Sequence, residues 1–206
     1  MKRVLVVGGA GYIGGWLTDK LIESGYETRV YDLLLYEERF LKDVDFVAGD
    51  VLDLERLRPH LDWAEAVVWL AALVGDPACA LNPGVTQKIN VDTIDWLCRR
   101  FDGRIIFPST CSVYGANDQE VDEDSPTDPL SIYAQGKLEA ESVILGKRPD
   151  SLIFRLGTAF GVSDTYSRPR MDLVVNYMTA NAITKEELSV FGGTQWRRWC
   201  RSLLQG

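Results

Sequence analysis

The chain has 206 residues and a formal net charge of −8, with 46% hydrophobic and 25% charged residues. That make-up is one ordinary globular domain with room for a sizeable core, and its acidic balance argues against nucleic acid or an anionic membrane as a partner. No apolar run approaches the length of a membrane span, and Met1 leads straight into the first apolar run, so no signal peptide is expected. The four cysteines, Cys79, Cys98, Cys111 and Cys200, show no paired spacing, which points to reduced thiols and a cytoplasmic location. A single histidine, His60, and no CxxC pair argue against a bound metal. His60 follows Pro59 near a helix end and reads as a surface residue.

Arg3-Val4-Leu5-Val6-Val7 is a short apolar strand that runs into Gly8, Gly9, Gly11 and Gly14. An amphipathic helix follows, whose apolar face is expected to carry Ile13, Leu17, Leu21 and Ile22. A second β-rich run over 28–31 ends on Asp32. Strand, glycine turn, helix, strand and acid, in that order, make the βαβ unit that holds a dinucleotide. Gly8 permits the tight turn, Gly11 lets backbone approach a pyrophosphate, and Gly14 lets the helix pack on the sheet. The helix start offers free N–H groups and partial positive charge to the phosphates. Asp32 would accept hydrogen bonds from ribose hydroxyls and repel a 2′-phosphate, which favours NAD over NADP.

Residues 36–43 read as a loop or short helix, 45–50 as a third strand and 52–61 as a helix. The unbroken apolar run 66–72 suits a strand buried on both faces, as in a parallel sheet. Pro77 and Pro83-Gly84 mark a loop. A helix is expected over 86–101, stopped by Gly103, then a fifth strand over 104–108 and a polar loop over 117–129. Ser131 caps a helix running to about Leu145, and 151–155 is a sixth strand. The alternation predicts an α/β fold with a doubly wound parallel sheet.

Two further stretches carry chemistry. Ser109-Thr110-Cys111-Ser112-Val113-Tyr114-Gly115 lies at the carboxyl end of a strand, where open α/β sheets bind ligands. Tyr133 and Lys137 stand four apart on one helix face. A nearby cation favours phenolate, so Lys137 is expected to lower the Tyr133 pKa. Tyr133 would then exchange a proton with a substrate hydroxyl while a nicotinamide exchanges a hydride. Thr110 would hold the same oxygen.

These stretches resemble the extended short-chain dehydrogenase/reductase family, in its NAD-dependent nucleotide-sugar epimerase/dehydratase branch. The resemblance rests on Gly8 to Gly14, Gly49-Asp50-Val51, Leu70-Ala71-Ala72, Asn90-Val91, Ser109 to Gly115, Tyr133 to Lys137 and Phe154-Arg155-Leu156-Gly157. It implies a catalytic triad of Thr110, Tyr133 and Lys137, with Tyr133 as base and Lys137 also bonding the nicotinamide ribose. It implies cofactor contacts from Gly8, Gly11, Tyr12, Ile13, Gly14 and Asp32, from Asp50 and Val51 at the adenine, and from Leu70, Ala71 and Ala72 at ribose and phosphates. Asn90 would support the nicotinamide side and the backbone near Leu156 would meet the carboxamide. Ser112, Thr158, Asn176 and Arg197 fall where the family meets its nucleotide sugar; a solvated helix position is an equal reading of Asn176. The resemblance also implies a homodimer built on helices near 86–101 and 131–145. Ile89, Ile94 and Leu97 would supply apolar contacts there, or else face the chain's own sheet.

Dehydratases of the family carry Asp-Glu after the threonine, to protonate and expel a hydroxyl. Here Cys111 and Ser112 stand in those places, so epimerisation is favoured over dehydration. The pattern breaks after Trp196-Arg197. The family continues with a Val-His-Val strand, whereas residues 198–206 match nothing, as expected of a shifted frame, a truncated gene or a naturally short form. The expected division is an NAD-binding Rossmann domain over 1–160 and the remnant of a substrate-binding lobe over 161–206. An active epimerase and a catalytically silent NAD-binding module are the two functions left open.

Overall fold

The computed structural model describes residues 2–36, 38–116, 120–190 and 199–201. Six parallel strands form its centre: β1 (Arg3–Val7), β2 (Glu27–Asp32), β3 (Asp45–Ala48), β4 (Ala66–Trp69), β5 (Arg104–Thr110) and β6 (Leu152–Leu156). Their order is β3-β2-β1-β4-β5-β6, the doubly wound arrangement whose winding reverses between β1 and β4. Because every pair is parallel, all six carboxyl ends meet at one edge of the sheet. A separate short pair joins β7 (Thr158–Phe160) and β8 (Trp199–Arg201).

The strands read as unbroken apolar runs because both faces are covered. Successive side chains point to opposite faces of a strand. Leu5 and Val7 therefore enter one cluster with Val67, Trp69, Ile105 and Phe107, packed by Leu57 and Leu61 of α2 (Leu54–Trp63), Ile94 and Leu97 of α5 (Thr93–Arg100), and Ala140 and Ile144 of α6 (Ile132–Lys147). Val4, Val6 and Val68 face the other way, onto Leu17 and Leu21 of α1 (Gly14–Glu23). On β6 the alternate residues Leu152 and Phe154 are exposed.

Several local expectations change. Ile13 and Ile22 are exposed, so the buried face of α1 rests on Gly14, Gly15, Thr18, Leu17 and Leu21. The prolines expected to mark a loop instead start helices, where a missing N–H costs nothing. They give α3 (Asp76–Leu81) and α4 (Pro83–Gln87), the latter capped by the Asn82 side chain on the Val85 N–H at 3.1 Å. A π-helical turn, Lys88–Asp92, then leads into α5. The segment 38–43 is irregular rather than helical. Ile94 and Leu97 lie fully buried in the chain's own core, so neither is available to a partner subunit. His60 is half-buried, its Nδ1 3.2 Å from Arg29 and its ring 5.7 Å from that of Tyr31. Among the described residues no helix is long and apolar enough to cross a membrane.

The segment after β7 is fastened across α1. Lys42 donates to the Gly15 carbonyl at 2.5 Å and pairs with Asp19 at 2.7 Å and Asp164 at 2.5 Å. Lys42 and Asp164 keep only 5% and 4% of their side-chain surface exposed. Arg168 stacks 4.1 Å over the Tyr36 ring, and α7 (Val174–Thr184) follows. Burial pushes the Asp164 carboxyl up, but the Lys42 ammonium and the Tyr166 N–H outweigh it and hold the group below its ordinary value. Asp164→Asn should cost about 2 kcal/mol, because the buried Lys42 then loses one of its two carboxylate partners and keeps Asp19. The sign follows from the depressed carboxyl: its contribution is complete above the unfolded value of 3.8 and lost as pH falls through the lower folded value. Urea unfolding of the two proteins at neutral pH and under acid should therefore show a gap that narrows in acid.

Candidate active site

The site begins at the turn between β1 and α1. Gly8 has φ +84°, a conformation side chains resist. Its N–H donates to the Tyr31 carbonyl at 2.8 Å, and a Cβ there would meet the Ala71 amide nitrogen at 2.5 Å. Gly14 is equally constrained, since a Cβ would lie 2.6 Å from Gly9. Gly11 differs: it is exposed, and a Cβ would find nothing nearer than the Gly8 carbonyl at 3.4 Å. The protein itself gives no reason for glycine at 11, whereas a ligand lying on the turn does. No side chain caps the start of α1 and no acid occupies its first turn, which leaves its N–H groups to an anion. Ile13, exposed, stands at the cap position.

Asp32, at the end of β2, accepts from the Ala10 N–H at 3.0 Å and the Leu34 N–H at 2.8 Å, one on each oxygen. Each oxygen keeps a further lone pair for a ribose hydroxyl. Asp50 and Val51 follow β3, where the Tyr31 hydroxyl donates to the Asp50 carbonyl at 3.0 Å. Leu70 and Ala71 donate to the Val7 carbonyl at 2.7 and 2.9 Å, which draws the end of β4 against the glycine turn. Ala72 follows them, and Asn90 then clamps Leu73 through both backbone groups, at 2.9 and 3.0 Å. Asn90 is buried at 3% exposure and shapes this segment from behind.

Thr110 closes β5, and its hydroxyl accepts from the Ser112 N–H at 3.1 Å, starting the 3-10 turn Cys111–Tyr114. Leu156 stands beside Thr110 in the β5–β6 register. Ser131 caps α6 on the Ala134 N–H, so the phenol of Tyr133 and the ammonium of Lys137 sit in the first turns of a secured helix. Lys137 is 4% exposed; it donates to the Pro108 carbonyl at 2.8 Å and lies 4.2 Å over the Phe107 ring.

The electrostatics overturn one expectation. The Tyr133 phenol is not lowered: burial pushes it up to about 12, Cys79, Asp76 and Cys111 add to the rise, and Arg170 opposes it. The Lys137 ammonium is directed to the β5 backbone and is itself drawn down to about 8 by burial. Sequence reasoning missed Arg170. It is paired with Asp172 at 2.6 Å, and no motif marks it.

Behind this edge lies a second group that sequence reasoning passed over. Ser109 donates to the Glu141 carboxylate, which Arg155 grips through Nε at 3.0 Å and Nη2 at 2.7 Å. Arg155 Nη1 reaches the Tyr114 hydroxyl at 2.9 Å and the Glu123 carbonyl at 3.2 Å. The signal was present in the spacing: 133, 137 and 141 are four apart and share one helix face. The group borders a cavity of about 540 Å³, lined by Cys111, Tyr114, Leu145, Phe154 and Gly157 among others.

The residues expected at a nucleotide sugar are not all gathered here. Ser112 is exposed beside Thr110, and Thr158 is half-buried in β7. The Asn176 side chain accepts from the Gly161 N–H at 2.8 Å and donates to the Arg170 carbonyl at 2.9 Å. It also stands 3.5 Å from the Tyr12 hydroxyl, which itself donates to the Gly161 carbonyl at 2.7 Å. Asn176 thus ties α7 to the glycine turn and is not a solvated helix position. Arg197, with the segment 191–198, lies outside the described residues.

The chain is 29% identical over 217 residues to UDP-glucuronic acid decarboxylase 1 of Xenopus tropicalis, covering 96% of this chain and 50% of that protein. It therefore spans about half the length of the curated relatives it matches. Among solved structures it is similar to the NAD-dependent NDP-hexosamine 5,6-dehydratase TunA, involved in tunicamycin biosynthesis, with 31% identity and a TM-score of 0.83, covering 97% of this chain and 68% of that one. It is also similar to UDP-glucuronic acid 4-epimerase of Bacillus cereus, in complex with UDP-glucuronic acid and NAD, with 25% identity, a TM-score of 0.82 and coverage of 97% and 69%. The family model matches residues 4–202, and the chain belongs to the NAD dependent epimerase/dehydratase family.

Proposed function

We propose that this chain binds NAD along the carboxyl edge of its sheet and oxidises and re-reduces a nucleotide sugar there, with epimerisation as the outcome. The observation that carries the cofactor half is the open space at Gly11, set in a turn where Gly8 and Gly14 have none. Asp32 would take the adenosine ribose, the start of α1 the pyrophosphate, and the 70–72 segment the phosphates and ribose nearest β4. The relatives' UDP-glucose and UDP-glucuronic acid make a UDP sugar the first substrate class to try. The thiols of Cys79 and Cys98 form no disulfide, which suits a reducing compartment such as the cytoplasm. A homodimer, if formed, would have to use other apolar contacts than Ile94 and Leu97.

In this function Tyr133 takes the proton of a sugar hydroxyl and later returns it, while Thr110 holds the same oxygen. Lys137 orients the nicotinamide ribose from its seat on the Pro108 carbonyl. NAD, when bound, would supply the hydride acceptor. Cys111 and Ser112 offer no carboxyl acid to expel a hydroxyl, which separates this proposal from dehydration. The elevated phenol favours a second function, a NAD-binding module with little turnover.

Two substitutions test the proposal. Gly11→Ala should fold with a melting temperature close to that of the parent and bind NAD at least about tenfold more weakly, ~1.4 kcal/mol. Gly8→Ala should instead lose about 2 kcal/mol or more of stability through its left-handed backbone alone. Calorimetric titration and thermal melting read both, and a Gly11→Ala chain with full NAD affinity would contradict the placement. Tyr133→Phe should keep NAD affinity and lower turnover of UDP-glucose or UDP-glucuronic acid by about 10²- to 10⁴-fold. Turnover by the parent that survives Tyr133→Phe would exclude the phenol as base; a parent that binds NAD without turnover would select the silent module.

A further inference from the structure

We propose that Glu141 is a positioning residue for this site: gripped by Arg155, its buried carboxylate fastens the Ser109–Thr110 end of β5 to α6 and keeps the Lys137 ammonium charged one helical turn away. The inference rests on the function proposed above for Thr110, Tyr133 and Lys137, and deepens it.

The geometry carries the first half. Helix α6 is joined to β5 at two consecutive residues, by Lys137 on the Pro108 carbonyl and by Glu141 on the Ser109 hydroxyl. Thr110 is the next residue, and its hydroxyl in turn begins the 3-10 turn. Arg155 stands directly across from Ser109 in the β5–β6 register and reaches Tyr114 at the end of that turn. One carboxylate therefore couples four elements, α6, β5, β6 and the 3-10 turn. With residue exposure of 2%, Glu141 is held without competition from water. A buried carboxylate is costly unless paired and fully hydrogen-bonded. Here both oxygens are engaged.

The second half concerns charge. Burial draws Lys137 down to about 8, and the Glu141 carboxylate opposes that fall. The other charged or titratable groups on the elements packed around α6 act elsewhere. Asp76 and Cys79 of α3, Cys111 of the 3-10 turn and Arg170 beyond β7 act on Tyr133. Lys88 and Asp92 of the π-helical turn are exposed. Asp95 of α5 is engaged by Lys147 and Arg99. Tyr133 lies one turn earlier on α6. Glu141 is thus the carboxylate placed to keep Lys137 a cation at neutral pH.

The test is a pH titration of Lys137 by NMR on the full chain with labelled lysine, its signal assigned by loss in Lys137→Arg, alongside the Thr110 methyl signal. The parent should show a midpoint near 8. In Glu141→Gln the midpoint should fall by about one pH unit, a tenfold weaker hold on the proton, and the Thr110 methyl should shift. Should Glu141→Gln fail to fold, Glu141→Met with Arg155→Met removes the pair together, a change buried ion pairs tolerate better than loss of one member, and the same two changes are expected. An unchanged Lys137 midpoint or an unmoved Thr110 methyl in a folded variant overturns the proposal. A purely structural role would lower the melting temperature and leave the midpoint in place. Neither readout uses NAD or a sugar, so the result is decided separately from cofactor binding and turnover.

Discussion

The close approach of the glycine turn to the end of β4 is the constraint on which the rest depends. Leu70 and Ala71 donate together to the Val7 carbonyl, and Gly8 turns in the space this leaves, with a backbone only glycine adopts freely. That contact fixes where α1 begins. It also fixes the distance between the start of α1 and Asp32, which is tied back to the turn through Ala10. An uncapped helix start and a carboxylate are thereby set side by side at the point where the sheet reverses its winding. Every later feature of the site is built outward from that corner along the same edge.

The other half of the edge is governed by burial. Helix α6 places a phenol, an ammonium and a carboxylate at intervals of four on one face and sinks that face into the protein. Burial raises the Tyr133 phenol and draws the Lys137 ammonium down. Tyr133 stays protonated, Lys137 loses part of its hold on its proton, and Glu141 is gripped by Arg155. A motif of two residues states only that phenol and ammonium share a face. It does not state where the ammonium points, and here it points at the backbone of β5.

The difference between what was legible in the sequence and what was not has a physical basis. The βαβ unit was legible because its signals are local: apolar strand, glycines, helix and Asp32 within one short stretch. The parallel sheet was legible because burial on both faces leaves apolar runs such as 66–69 without alternation. Ile13 and Ile22 were misplaced because α1 packs through Gly14 and Gly15, and an absent side chain gives no hydrophobic signal. The helices α3 and α4 were hidden because proline marks both loops and helix starts. The ties of Lys42 to Asp164 and of Glu141 to Arg155 join distant parts of the chain, and charged residues give no sign of burial until the fold brings them together.

The family embraces epimerases, decarboxylases and dehydratases on one scaffold, so the shared feature is the cofactor edge and the differences lie in the residues around the sugar. The central claim is accordingly that the turn at Gly8 to Gly14, with Asp32 beside it, holds NAD. Calorimetric titration of the purified chain with NAD and, separately, with NADP tests this most directly. Saturable binding of one NAD per chain, with NADP at least about tenfold weaker because its 2′-phosphate meets the Asp32 carboxylate, is the predicted result. Equal affinity for the two, or binding of neither, would contradict it.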